Sequence, residues 1–140
     1  MKFDPESQYL YILVQDQDVP GVLLYTLSEN DFTLSLIKIL PVKGIPSSVS
    51  VTENFILISS QNIILKFGRF SQKFVGYIES QKIQTILSIF TLFSDEVVVS
   101  GRNFISEEIF EKSIYRQYEN MNKKDYLDEV IELYDFSSVV

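Results

Sequence analysis

Carboxylate pairs are the first candidates for chemistry in this chain. Asp4 is separated from Glu6 by one proline, and Asp95 is followed directly by Glu96, both pairs at predicted turns. Acid/base catalysis needs two carboxylates held at a fixed separation in a pocket, and neighbours on a turn do not have that geometry. We therefore interpret all four as solvated turn residues.

Composition excludes most other catalytic chemistry. The chain contains no cysteine and no histidine, which removes thiol nucleophiles, imidazole bases and Cys/His zinc sites. The serines have no histidine to activate them, and the five glycines are not spaced as a phosphate-binding loop. The sequence predicts no catalytic residue, no cofactor and no metal site, so we expect a protein that is not an enzyme.

Three basic residues alternate with three phenylalanines in the middle of the chain. They are Lys66, Arg69 and Lys73, with Phe67, Phe70 and Phe74 between and after them. Such a pattern can bind nucleic acid by stacking and phosphate contact, but it is also typical of a strand with solvated cations and core aromatics, which is our interpretation. The net charge of −7 disfavours direct nucleic-acid binding. We expect nucleic-acid contact to be indirect or minor, and keep the three basic residues as candidate protein-binding positions.

The apolar content predicts one folded domain that is mostly β. Of the 140 residues, 46% are hydrophobic and 14% aromatic, and the β-branched and aromatic types that dominate suit a pleated sheet. The N-terminus has no apolar signal-peptide core, and the longest apolar stretch, Ile83 to Phe93, is too short for a membrane helix. We expect no membrane association and, because cysteine is absent, an intracellular location in the nucleus or cytoplasm.

The segments with strand character fall into repeating groups. A complete group of four covers Ser47–Thr52, Phe55–Ser59, Ile63–Phe67 and Phe74–Glu79. Three strands precede it (Tyr9–Gln15, Val22–Ser28, Phe32–Leu40), as if a first strand were missing, and two follow it (Ile83–Phe93, Glu96–Ser100), closed by a turn at Ser100–Asn103. Equivalent strands recur at intervals of about 40 to 46 residues, as in a β-propeller with WD-type blades.

This pattern predicts residues 1–105 to be two to three propeller-like blades, with an antiparallel β-sandwich as the alternative. A closed propeller needs at least ~4 blades. A partial ring would leave long unpaired strand edges, which soluble proteins avoid because they template aggregation. The blades are therefore expected to be completed by a longer polypeptide or by another chain, unless the strands fold back into the sandwich.

Residues 106–140 are predicted to form an acidic, largely helical tail. Phe110, Ile114, Tyr118 and Met121 have helical spacing, and Asp125 is a plausible N-cap for a second helix over Tyr126–Tyr134. Apolar residues of this second helix could lie in a groove of a partner. Its candidate partner-binding residues are Tyr126, Val130, Leu133 and Tyr134.

The chain also resembles a known family. Phe3–Leu10 resembles the turn between the first and second strands of a divergent WD repeat, and Glu96–Gly101 resembles a second strand. More narrowly, Leu34–Gly101 followed by the tail ending Glu132–Val139 is similar to the C-terminal region of the non-catalytic WD-repeat subunit of the tRNA guanine-N7 methyltransferase. The resemblance implies an accessory subunit that stabilises a separate methyltransferase catalytic subunit, in which S-adenosylmethionine and catalysis would reside. Contact of this chain with tRNA is then expected to be only indirect or minor.

The sequence thus predicts a non-catalytic protein-interaction scaffold, in its narrowest form an accessory subunit in tRNA modification. A stand-alone β-sandwich adaptor that uses its acidic tail as a docking peptide is one alternative. A propeller hydrolase or lactonase is the other, and it would need convergent carboxylates or a metal in a central channel.

Overall fold

A computed structural model describes residues 1–16, 18, 21–28, 30–42, 44–104 and 127–137. They form eleven β-strands, and no helix occurs among them. The strands are β1 (Lys2–Asp4), β2 (Tyr9–Val14), β3 (Gly21–Ser28), β4 (Thr33–Pro41), β5 (Ser48–Val51), β6 (Phe55–Ser60), β7 (Ile63–Gly68), β8 (Phe74–Glu79), β9 (Thr85–Phe93), β10 (Glu96–Phe104) and β11 (Leu127–Asp135). The expectation of a mostly β protein is confirmed.

The strands make three separate antiparallel sheets, each following the order of the chain. Sheet A is β1-β2-β3-β4, sheet B is β5-β6-β7-β8 and sheet C is β9-β10-β11. None of these three sheets closes into a barrel within the described strands. The first strands approach one another, since β5 contacts both β1 and β9.

Sheet B is the middle layer because its strands are apolar on both faces. Side chains alternate across a strand, so Ile56 and Ile58 of β6 face sheet A while Leu57 faces sheet C. The first cluster joins Ile56, Ile58 and Phe67 to sheet A residues such as Tyr11 and Leu24. The second joins Leu57 and Ile64 to sheet C residues, including Val97, Val99 and Phe136. The result is a three-layer stack, A on B on C.

Two predicted strand boundaries are wrong. Sheet A does not lack a first strand, because Lys2–Asp4 form β1 and pair with β2. The turn predicted at Ser100–Asn103 is absent, since β10 runs on to Phe104. The strand can continue through Gly101 because glycine has no Cβ. A Cβ at this position would overlap Ile83 and Thr85, at the start of β9.

The predicted second helix is also wrong. Leu127–Asp135 form β11, which pairs along its whole length with β10. Sheet C therefore contains residues from both predicted regions, 1–105 and 106–140. The first predicted helix, with Phe110, Ile114, Tyr118 and Met121, lies outside the described residues. In the part of the chain that the structure describes, no helix has the length and apolarity to cross a membrane.

Candidate interaction faces

The basic residues of the central pattern are placed in the opposite way to the prediction. Lys66 and Arg69 are buried, whereas Phe70 and Phe74 are exposed. The Lys66 ammonium lies 4.5 Å from the centre of the Phe55 ring, a favourable cation–π distance. Only Lys73 of the three cations is exposed, so these residues do not form one surface patch.

Arg69 makes a buried ion pair that joins sheets A and B. Its Nε and Nη2 donate to the two carboxylate oxygens of Asp4, at 2.8 and 2.6 Å. Nη2 also lies 3.1 Å from the exposed carboxylate of Glu6, and Nη1 donates to the Glu53 carbonyl at 3.1 Å. Burial alone would raise the pKa of Asp4, but hydrogen bonds from Arg69 and Ser7 outweigh it and lower that pKa to about 2.

Asp95 has the corresponding role between sheets C and B. Its carboxylate accepts hydrogen bonds from Thr52 Oγ1 at 2.7 Å, from the Asn54 backbone N–H at 3.0 Å and from Asn54 Nδ2 at 2.8 Å. Burial acts to raise the pKa of Asp95, yet the bonds from Asn54 and Thr52 lower it overall. The solvated-turn prediction is therefore wrong for Asp4 and Asp95. It is confirmed for Glu6, which is exposed in a turn, and only in part for Glu96, which is exposed but begins β10.

An open groove of about 540 Å³ lies at this end of the stack, between the first hairpins of the sheets. Two carboxylates line it, Asp4 and Glu53. Asp4 is held in the ion pair with Arg69, and Glu53 accepts a hydrogen bond from Ser94 Oγ at 2.6 Å, so the two do not form a free acid/base pair. Among the described residues no three Asp, Glu, His or Cys side chains are close enough to hold a metal ion. The hydrogen bonds of Asp4 and Asp95 serve to join neighbouring sheets, and they give the hydrolase alternative no support.

A cross-strand pair recurs in all three sheets. In each, an aliphatic residue of the second strand lies opposite an aromatic residue of the third, and we call the face that carries this pair the front face and the other the back face. The pairs are Leu10 with Tyr25, Ile56 with Phe67, and Val97 with Tyr134. The front faces of sheets B and C pack against the back faces of sheets A and B, respectively. The front face of A and the back face of C are thus the two ends of the stack.

The front face of sheet A is an uncovered apolar surface. Strand alternation places ten apolar side chains of β1 to β4 on it and no charged one. They are Phe3, Leu10, Ile12, Val14, Leu23, Tyr25, Leu27, Leu34, Leu36 and Ile39. Leu36 is 52% exposed and Ile39 is 53% exposed, although both are aliphatic. A surface of this kind on a soluble protein indicates an interaction site.

The back face of sheet C is apolar in its centre. It carries Phe90, Leu92, Val98, Ile131 and Leu133. Charged groups lie at its two ends, with Glu96 opposite Asp135 at one and the ion pair of Arg102 with Glu129, 3.9 Å apart, at the other. Leu133 is 73% exposed, whereas Leu24, which has the equivalent back-face position in sheet A, is 0% exposed. Sheet B packs on Leu24, whereas Leu133 lies on the edge strand of sheet C and no described sheet packs on it.

The candidate partner-binding residues of the tail are divided between two faces. Val130 and Tyr134 point inward and pack against the second core cluster, and burial raises the pKa of the Tyr134 hydroxyl. Leu133 lies on the exposed back face of sheet C, and Tyr126 lies outside the described residues. The two end faces were not predicted from the sequence. The signal for them was that β4 and β11 have apolar residues at both odd and even positions, so that both faces of each strand are apolar.

No protein-family model matches the chain, and no curated protein matches it significantly. The resemblance to WD-repeat proteins therefore stays a prediction. The two exposed end faces are the features of the described chain that point to a function.

Proposed function

We propose that this chain is a non-catalytic protein-interaction scaffold, a set of three propeller-like blades that binds through the ends of its stack. The observation that carries the proposal is the pair of uncovered apolar end faces. Burying such surface is favourable by about 25 cal/mol for each Å² of apolar area, and the front face of sheet A holds no charge that would oppose burial.

Two features support blades over a two-layer sandwich. Each sheet is a meander in chain order, and the strand that begins each sheet lies beside the strand that begins the next, as around a propeller axis. The repeated aliphatic–aromatic pair also marks the equivalent face of each sheet, and in all three sheets this front face points the same way along the stack. Three stacked sheets are also compatible with a sandwich-type adaptor. However, residues 127–135 cannot act as a free docking tail in that adaptor, because they form a strand of sheet C.

The narrower proposal is an accessory subunit of the tRNA guanine-N7 methyltransferase, acting in the nucleus or cytoplasm. Its support is the family resemblance, together with a net charge of −7, which suits a basic protein partner better than a phosphate backbone. Catalysis, S-adenosylmethionine and most tRNA contact would then belong to the partner.

Co-expression with a tRNA guanine-N7 methyltransferase catalytic subunit tests the proposal. The tagged chain should retain the subunit through affinity and size-exclusion steps. Leu36→Asp on the front face of A or Leu133→Asp on the back face of C should weaken that retention at least tenfold, because each buries a charge. Phe32→Asp is the control, since Phe32 is 82% exposed in a turn outside both faces.

Two results would count against this proposal. Failure to retain the subunit would remove the methyltransferase role, and equal binding by all three variants would remove the end faces as the binding surfaces.

A further inference from the structure

We propose that the end faces are binding sites for a second copy of this chain. The front face of sheet A in one copy packs on the back face of sheet C in the other, and the same contact forms a second time, so that two chains close a ring of six sheets. This inference rests on the blade interpretation given above, and it names a second copy as the occupant of the two end faces. In the closed pair a methyltransferase would bind outside these faces, and the face variants would weaken its retention by separating the two chains.

The interfaces inside the chain are the template for this contact. At the A–B interface, the front-face pair Ile56 and Phe67 of sheet B packs against Tyr11 and Leu24 on the back of sheet A. At an A–C contact between copies, the front-face pair of sheet A is again an aliphatic residue and an aromatic one, Leu10 and Tyr25. It would meet back-face residues with the positions of Tyr11 and Leu24.

Those back-face residues of sheet C are Val98 and Leu133, which pair across β10 and β11. In sheet A the equivalent pair, Tyr11 with Leu24, is completely buried by the next sheet. The two ends of the stack therefore carry the two halves of a contact that the chain already makes internally. A front face fits a back face, so the expected contact is heterologous and does not join two like faces.

Charge and area are both compatible with this contact. The charged groups of the back face lie at its ends and include one paired set, Arg102 with Glu129, and the front face has none to repel them. The front face of sheet A, with four strands of about six residues, measures about 20 by 20 Å, and the back face of sheet C, with three longer strands, measures about 15 by 30 Å. The four faces of a closed pair total about 1,700 Å², the usual size of a stable interface.

Closure favours two copies over a longer chain of copies. A heterologous contact either closes into a ring or extends into a filament. Two chains with three sheets each give six, within the range of about four to eight blades found in propellers. The two-fold axis would then coincide with the axis around which β1, β5 and β9 gather.

Light scattering after size exclusion measures the mass of the chain alone, without a methyltransferase. The expected mass is twice the 16.2 kDa of a single chain. Leu36→Lys and Leu133→Glu should each reduce the mass to that of one chain, while Phe32→Lys should leave it doubled. Mixing the first two variants should restore the doubled mass, because one contact is then unaltered and the other pairs Lys with Glu.

Restoration on mixing also shows that both variants are folded. A wild-type mass of one chain would overturn the inference, even if the same faces bind a methyltransferase. It would also be overturned if only one of the two face variants dissociated the pair, which would indicate a contact between like faces. A mass that grows continuously with concentration would overturn closure. Conversely, a doubled mass with no methyltransferase binding would leave this inference in place and remove only the narrower function.

Discussion

Two buried aspartates connect neighbouring sheets by hydrogen bonds at the same end of the stack. Asp4, at the end of β1, binds Arg69, which directly follows β7 of sheet B. Asp95, in the turn between β9 and β10, binds Thr52 and Asn54 in the turn between β5 and β6 of sheet B. Each carboxylate is almost fully removed from water and accepts several hydrogen bonds, which lower its pKa and favour the anion. These residues act in folding, and their ionisation makes the stability depend on pH.

Asp4 should contribute stability that is lost in acid. Its folded pKa of about 2 lies below the ordinary value of 3.8, so the contribution is complete above pH 4 and disappears as the pH falls towards 2. We expect the free energy of unfolding of the wild type to exceed that of Asp4→Asn, with a difference that shrinks by about 2 kcal/mol over this range. Urea denaturation at a series of pH values measures it.

Glu6→Gln is the matched control for Asp4→Asn, because Glu6 contacts the same Arg69 nitrogen but is exposed. Its effect should stay within about 1 kcal/mol at any pH. A pH-independent difference for Asp4→Asn, or equal effects for the two variants, would show that the buried ion pair does not stabilise the fold.

At the scale of elements, β11 is held by pairing and by the residue that follows it. Phe136 is completely buried in the second core cluster, and its backbone N–H donates to the Asp95 carbonyl at 3.0 Å. Its ring also lies 5.9 Å from that of Tyr134, centre to centre. The end of β11 is therefore anchored in the core of the molecule and is not a free tail.

Phe136→Ala should lower the free energy of unfolding by about 3–5 kcal/mol, because it leaves a large cavity between sheets B and C. Phe93→Ala is the control: it removes the same atoms from a side chain that is 76% exposed, and should cost less than about 1 kcal/mol. Urea unfolding of both variants measures the difference. Equal costs would mean that β11 and Phe136 are not part of the folded core.

Local pattern was enough to predict most strands, and β8 has the predicted bounds, Phe74–Glu79. It was insufficient for β11, since the apolar spacing of Val130, Leu133 and Tyr134 fits a helix as well as a two-sided strand. Pairing with β10, across residues 105–126, decides between them. The buried aspartates were missed for a similar reason, because the partner of Asp4 is 65 positions away in the sequence.

At the scale of the whole molecule, sheet B couples the two core clusters. Ile58 and Leu57 are adjacent in β6, yet one belongs to the first cluster and the other to the second. Loss of sheet B would expose both clusters at once, so neither end sheet can keep its core alone. The stack should therefore unfold as one cooperative unit.

Ile58→Ala and Leu57→Ala should each cost about 2–5 kcal/mol and shift a single transition. Far-UV circular dichroism and the fluorescence of the eight tyrosines, which include the buried Tyr11, should give the same midpoint for each variant at a fixed protein concentration. Two resolved transitions, with each variant moving a different one, would show that the clusters fold independently.

The uncovered end faces also bear on the fate of the chain in a cell. A newly synthesised copy without its partner exposes the kind of hydrophobic surface that chaperones and proteases bind on incompletely folded polypeptides. Its lifetime should consequently be governed by assembly, with surplus copies removed, so that its abundance follows the supply of whatever covers Leu36 and Leu133.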